Sequence, residues 1–169
     1  YLYVDDGFGP ARPGAMRFYG PYGVMMPTVQ AMVLDLFDFI RIPHDPAKQV
    51  HGTCLTIIGH EIDTELMVAR MPRESLARLI ELMLDFVTTR RRRTLREFQH
   101  VAGNVCWGLN VHPLIRPGLS TTYEKMEGKT RGNARIWVST RLVEEFLWAV
   151  GHLGTSHGVF FFKSLTWTP

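Results

Sequence analysis

Tyr1-Leu2-Tyr3-Val4-Asp5-Asp6-Gly7-Phe8-Gly9 sets two adjacent carboxylates between a β-prone run and a Gly-Phe-Gly segment. Tyr and Val suit a pleated, half-buried surface, and glycine permits a tight reversal of the chain. The stretch therefore predicts a β-hairpin with Asp5 and Asp6 at its tip. Two neighbouring anions repel each other unless water or a cation screens them. Two readings fit. One is a solvated Asp-Gly turn. The other is an oxygen-rich site for Mg²⁺, which holds one or two carboxylates and completes its shell with waters and substrate phosphates.

A chain of 169 residues is long enough for one large domain or two small ones and for a real core. Its hydrophobic fraction of 46% and mean hydropathy of −0.03 describe a globular chain rather than a disordered one. No apolar run is long enough to span a bilayer, and no secretory pattern opens the sequence. An intracellular site, cytoplasmic or nuclear, is expected, with no membrane partner. The first residue is Tyr, which points to a fragment or an excised domain. Cys54 and Cys106 stand far apart, without the spacing of a zinc site or a disulfide framework. Both read as core thiols. The formal charge of +3 is modest, but Arg90 to Arg93 form an unbroken run with Arg96 close behind.

Residues 10 to 26, rich in Gly and Pro, read as an irregular connection. A helix is expected from about Pro27, proline being favoured in a first turn. Met32, Val33, Leu36, Phe37 and Ile40 form its apolar stripe, Asp35 and Asp38 face outward, and Pro43 ends it. A polar loop containing Lys48 leads to a strand over 55–62 and a return strand over 66–71, with Asp63-Thr64-Glu65 as the turn. Gly59 suggests a bulge or a close backbone approach. His60-Glu61 lacks the second histidine of a zinc-protease motif, since position 64 is Thr.

Helices follow from Pro72. Leu76, Leu79, Ile80, Met83 and Val87 make one stripe, with Glu74 and Arg78 paired outside it. Thr94-Leu95-Arg96-Glu97 is a capping box opening a helix striped by Leu95, Phe98, Ala102, Val105 and Leu109. A short helix is expected near 119–126, then a basic loop over 128–135. Its Gly128-Lys129-Thr130 is not a P-loop, because position 123 is Tyr. Ser139 caps a last helix whose apolar face includes Leu142, Val143, Phe146, Leu147, Val150 and Leu153, and a strand over 159–162 ends the chain. Trp107, Trp137 and Trp148 read as core residues. The fold class expected is α+β, with a boundary near Met71 between a β-containing part and a helical part.

Taken in order, Tyr3-Val4-Asp5-Asp6, a helix, a Lys-containing loop and Thr56-Ile57-Ile58-Gly59-His60-Glu61-Ile62 resemble the reverse transcriptases of retroelements. Thr94-Leu95-Arg96-Glu97-Phe98-Gln99, Ala102-Gly103, Pro117, Leu119 and Tyr123 are similar to the connection after that family's thumb. The resemblance covers about residues 1 to 130 and is closest to retroelements of the kinds abundant in fungal genomes. It implies a partial palm over 1–71, a helical thumb and connection over 72–130, and an approach to an RNase H domain over 131–169.

The activity the resemblance implies is nucleotidyl transfer from a deoxynucleoside triphosphate to a primer 3′-hydroxyl, as in an RNA-directed DNA polymerase, with two Mg²⁺ ions. Asp5 would be the principal metal ligand, Asp6 the weaker one, and Tyr3 would pack near the primer terminus. Lys48 lies where the family places a lysine near the triphosphate; a surface lysine is the other reading. Gly59 and His60 would belong to the primer grip, although His60 also reads as an ordinary strand histidine. Arg90 to Arg93 and Arg96 would meet template–primer phosphates, or else form a solvated helix end. The family's fingers and its further metal-binding Asp lie upstream of this hairpin, so the 169 residues alone are expected to be inactive. A non-catalytic nucleic-acid-binding remnant of a mobile element is the alternative.

Overall fold

The hairpin between Met16 and Pro27 and the helix that leaves it organise the first part of the chain. The computed structural model describes residues 2–3, 6–88 and 91–161. Within them the fold is α+β, with five α-helices and small antiparallel sheets. The chain divides into two units, residues 1–58 and 59–169.

In the first unit, β1 (Leu2–Tyr3) pairs with β2 (Asp6–Gly7), setting Tyr3 opposite Asp6. Asp6 thus belongs to a strand, and Asp5 lies outside the described residues. The segment expected to be irregular contains a second hairpin, β3 (Met16–Tyr19) against β4 (Val24–Pro27). Its turn closes with Gly23 N–H on the Tyr19 carbonyl at 3.0 Å. Helix α1 (Thr28–Ile40) begins where the Thr28 N–H and hydroxyl both donate to the Ala15 carbonyl, at 2.8 and 3.1 Å.

The face of α1 that meets this hairpin is not the one expected, although Phe37 of the expected stripe packs partly against it. Ala31 and Leu34 are buried with Tyr19 and Met26. Asp35 and Asp38, which share that face at helical spacing, are also held against it. Asp35 pairs with Arg17. Asp38 accepts from the Tyr19 hydroxyl and from His44 Nε2, the latter at 2.9 Å, while Tyr22 donates to His44 Nδ1. These bonds hold the Asp38 carboxyl below its usual range, Tyr19 first and His44 second. Burial, followed by the bond to Asp38, pushes the Tyr19 phenol well above its own. The polar partners select the face, and the apolar stripe of Met32, Val33, Leu36 and Ile40 is left exposed, with Phe39 beside it at 85%.

Helix α1 ends one turn before Pro43, at Arg41. This residue sits in the left-handed region (φ 60°) with Ile42 N–H on the Phe37 carbonyl at 2.8 Å and its own N–H on Asp38 at 3.2 Å. The pattern is a Schellman cap with arginine where glycine is usual. Further on, β5 (Cys54–Ile57) stops at a turn made by Ile58 and Gly59, both at positive φ. The single strand expected over 55–62 is therefore two strands, and Gly59 is a turn residue rather than a bulge.

In the second unit, β7 (Val68–Arg70) lies between β6 (His60–Asp63) and β10 (Val159–Phe160), antiparallel to both. The Asp63 carboxylate closes the β6–β7 turn by accepting from Glu65 N–H at 3.0 Å and Leu66 N–H at 2.8 Å. Helices α2 (Arg73–Thr88), α3 (Leu95–Gly108) and α5 (Thr140–Thr155) pack around one core. The expected stripes supply most of it, with Phe86, Val101 and Ala149 added and Leu147 left outside. Phe86 meets Phe98 edge-on at 4.9 Å and lies 5.8 Å from Phe146. A short helix α4 (Ser120–Met126) is capped from α5, because Glu145 accepts the Thr121 N–H at 2.9 Å and its hydroxyl at 2.6 Å. Among the described residues no helix is long and apolar enough to cross a membrane.

Left-handed backbone costs a side-chain-bearing residue about 1–2 kcal/mol relative to glycine. Arg41→Gly is expected to stabilise the first unit by about 1 kcal/mol, read as slower hydrogen exchange of the α1 amides, whereas Arg41→Ala gains nothing. Equal exchange in the glycine variant and the parent would rule out this cap.

Candidate nucleic-acid interface

Thr94 is where a strand becomes a helix. Strand β8 (Arg92–Thr94) leads straight into α3, and its Thr94 hydroxyl accepts the Glu97 N–H at 3.3 Å. Glu97 reaches back to accept the Thr94 N–H at 2.6 Å and hydroxyl at 2.8 Å. This is the reciprocal capping box the sequence predicts. Two further first-turn donors are met by the basic loop. Leu95 N–H donates to the Ala134 carbonyl at 2.9 Å and Arg96 N–H to the Gly132 carbonyl at 3.0 Å.

The same loop continues as β9 (Arg135–Trp137), antiparallel to β8, with Arg92 opposite Trp137, Arg93 opposite Ile136 and Thr94 opposite Arg135. Opposed residues share a face and successive ones alternate. Arg93 and Ile136 therefore point inward and are buried, while Arg92, Arg135 and Trp137 point outward and are exposed.

The arginine run is thus split by strand geometry. Arg93, with its side chain 7% exposed, bonds Glu97 Oε1 at 3.1 Å, the Asp85 carboxylate at 3.2 Å and the Asp85 carbonyl at 2.8 Å. Its guanidinium also lies 5.3 Å from the Phe86 ring centre. Its ion pairs and stacking tie α2 to the start of α3. Arg91, Arg92 and Arg96 are exposed, as are Arg131 and Arg135 from the loop. Among the described residues no carboxylate pairs with any of these five. An ideal Cβ on Gly132 would lie 2.7 Å from Arg96 Nε, so that side chain runs across the glycine. Arg90 lies outside the described residues.

The other residues singled out from the sequence are placed as follows. Tyr3 and Asp6 are backbone partners in β1 and β2. Lys48 is exposed at the end of a 3₁₀ turn over Pro46–Lys48, which Asp45 caps by accepting the Ala47 N–H at 2.9 Å. Gly59 lies against Trp107, whose Cζ2 is 3.0 Å from an ideal Cβ at that position. His60 is 8% exposed and stacks on Trp107 with centroids 4.6 Å apart. Trp107 and Trp148 are partly exposed rather than core residues. Tyr3, Asp6 and Lys48 belong to the first unit; Gly59, His60 and the arginines belong to the second. Among the described residues no three His, Cys, Asp or Glu side chains converge as a metal site.

Sequence reading took Arg131 and Arg135 only as part of a basic loop and Trp137 as a core residue, whereas Trp137 is exposed on β9. The signal was present in Arg135-Ile136-Trp137-Val138, which alternates exposed and buried as a surface strand does. Compared with family models, curated proteins and solved structures, the chain gives no match.

Two titrations report on this unit. The Thr94 N–H, the Thr94 hydroxyl and then Arg93 hold the Glu97 carboxyl down to about 2, against an ordinary 4.5. A depressed carboxyl stabilises the fold above the unfolded value and loses that contribution as pH falls toward the folded one. The stability difference between the parent and Glu97→Gln is therefore expected to shrink as pH drops from 4.5 toward 2. Urea midpoints across that range test it, and a constant difference would exclude the charged cap.

His112 is buried, with Nδ1 on the Ser156 hydroxyl at 2.8 Å. Burial, then the neighbouring His60, lowers it from the ordinary 6.5. Below that pH the unfolded chain binds a proton the folded one resists, so stability falls by up to about 1.4 kcal/mol per pH unit. His112→Gln is expected to remove this part of the slope in urea midpoints measured from pH 6.5 downward. An unchanged slope would show that His112 titrates normally.

Proposed function

We propose that the chain is part of an RNA-directed DNA polymerase of retroelement type, and that its helical second unit grips the template–primer duplex. The sequence resemblance supplies the order of parts, in which an arginine-rich helix follows the aromatic-x-Asp-Asp hairpin and a Gly-His strand. The observation that carries the proposal is the outward face at β8, β9 and the first turn of α3. Arg92 and Arg135 share the outward face of the ribbon, Arg96 and Arg131 are exposed on the helix turn and loop beside it, and none of the four has a carboxylate partner among the described residues. Exposed guanidinium groups gathered on one surface suit phosphate oxygens.

In this reading nucleotidyl transfer belongs to the parent enzyme, with Asp5, Asp6 and two Mg²⁺ ions at the palm hairpin and Lys48 near the triphosphate. Binding to the duplex is what the second unit is proposed to supply. The 169 residues alone are accordingly proposed to extend no primer. A non-catalytic nucleic-acid-binding module from a mobile element would use the same arginine face.

Phosphate contacts release counterions, so log K falls with log salt by about 0.9 for each phosphate neutralised on a duplex. A labelled RNA–DNA hybrid, followed by anisotropy from about 50 to 200 mM salt, is expected to bind the chain with a steep salt dependence. Replacing Arg92, Arg96, Arg131 and Arg135 by Gln should flatten the slope by about 3–4 units. Absence of binding at the lowest salt would overturn the proposal.

A further inference from the structure

Resting on the nucleic-acid reading of this face, we propose that Trp137 is a stacking platform for an unpaired base, with Arg92 and Arg135 holding the phosphates on either side of it. Its indole is 56% exposed, although Ile136 and Val138 on either side are buried. Strand alternation therefore presents the ring outward from a backbone anchored on both flanks. The anchoring is firm: β9 is paired to β8, and the loop before it caps α3 through the Gly132 and Ala134 carbonyls.

Arg92 faces Trp137 directly across the ladder, which places their Cβ atoms about 4.5–5.5 Å apart. Arg135, two residues back on β9, shares the same face. Among the described residues neither a guanidinium nor another ring stacks on Trp137. An aromatic plane beside unpaired cations fits the chemistry of single-stranded nucleic acid, whose bases expose their faces and whose phosphates follow at short intervals. A paired duplex buries those base faces and would use the arginines alone. The positive charge of this face also disfavours a cationic partner.

The depression next to this surface is different in kind. It has a volume of about 240 Å³ and is lined by Arg93 with its partners Asp85 and Glu97, and by Leu82, Phe86, Arg96 and His100. With two carboxylates in its lining it suits phosphate less well than the outer face of the ribbon does. The platform is confined to the outer face of the ribbon.

The test compares labelled oligothymidylate, oligouridylate and a blunt RNA–DNA hybrid on the whole chain, with polyglutamate as competitor. Trp137→Ala is expected to weaken binding of either single strand about tenfold while leaving the blunt hybrid within about twofold and the thermal unfolding unchanged. Trp137→Phe should keep most of the single-strand affinity. If only oligouridylate or only oligothymidylate responds to the substitution, the platform holds and its preferred strand is identified. If Trp137→Ala binds both strands as the parent does, the platform is wrong while the duplex reading stands. If the parent binds no nucleic acid, both fail. Competition by polyglutamate equal to that of the oligonucleotides would reassign the surface to an acidic polypeptide and overturn the proposal.

Discussion

Arg93 is a buried cation in a helical core, and the second unit is arranged so that its two terminal nitrogens meet carboxylates. Burying a charge is costly unless ion pairs and hydrogen bonds compensate for lost water. Asp85 from α2 and Glu97 from α3 supply them, and Phe86 offers a ring face. Because Glu97 also completes the cap at Thr94, one carboxylate joins the buried charge to the start of α3. That coupling sets the register of β8, since Arg93 inward requires Arg92 outward. The exposed face follows from this alternation and from the pairing of β8 with β9.

The first unit meets a different constraint. Its core is small, with Tyr19, Met26, Ala31 and Leu34 fully buried and Tyr22 and Phe37 packed partly against them. Most of the definition of α1 comes from polar partners. Asp38, His44, Tyr19 and Tyr22 form a closed set of hydrogen bonds, and Arg17 takes Asp35. A network of this type rigidifies when every member is satisfied. Here it orients a helix against the expectation from hydrophobicity alone, leaving an apolar stripe on the outside.

These two arrangements support the functional proposal unequally. The second unit provides a defined surface of unpaired arginines with an exposed tryptophan among them. The first provides the backbone hairpin on which Asp6 sits. The carboxylate chemistry of the resemblance therefore rests on sequence order, whereas the proposed nucleic-acid surface rests on both sequence and geometry.

Local signals were readable directly. The Thr94–Glu97 cap, the Ser139 cap, the stripes of α2, α3 and α5 and the α+β class all depend on residues within one or two turns of each other. Nearest-neighbour physics is enough for those. The face of α1 depended on Tyr19 and His44, and the split of the arginine run depended on a strand more than forty residues away. Periodicity shows which side of a helix is apolar, but not which side a distant hairpin will cover. A run of four arginines likewise carries no mark of which one goes inside. Burial of Arg93 and exposure of Trp137 were settled only by pairing between segments remote in the chain, because a strand acquires its two faces when its neighbour arrives.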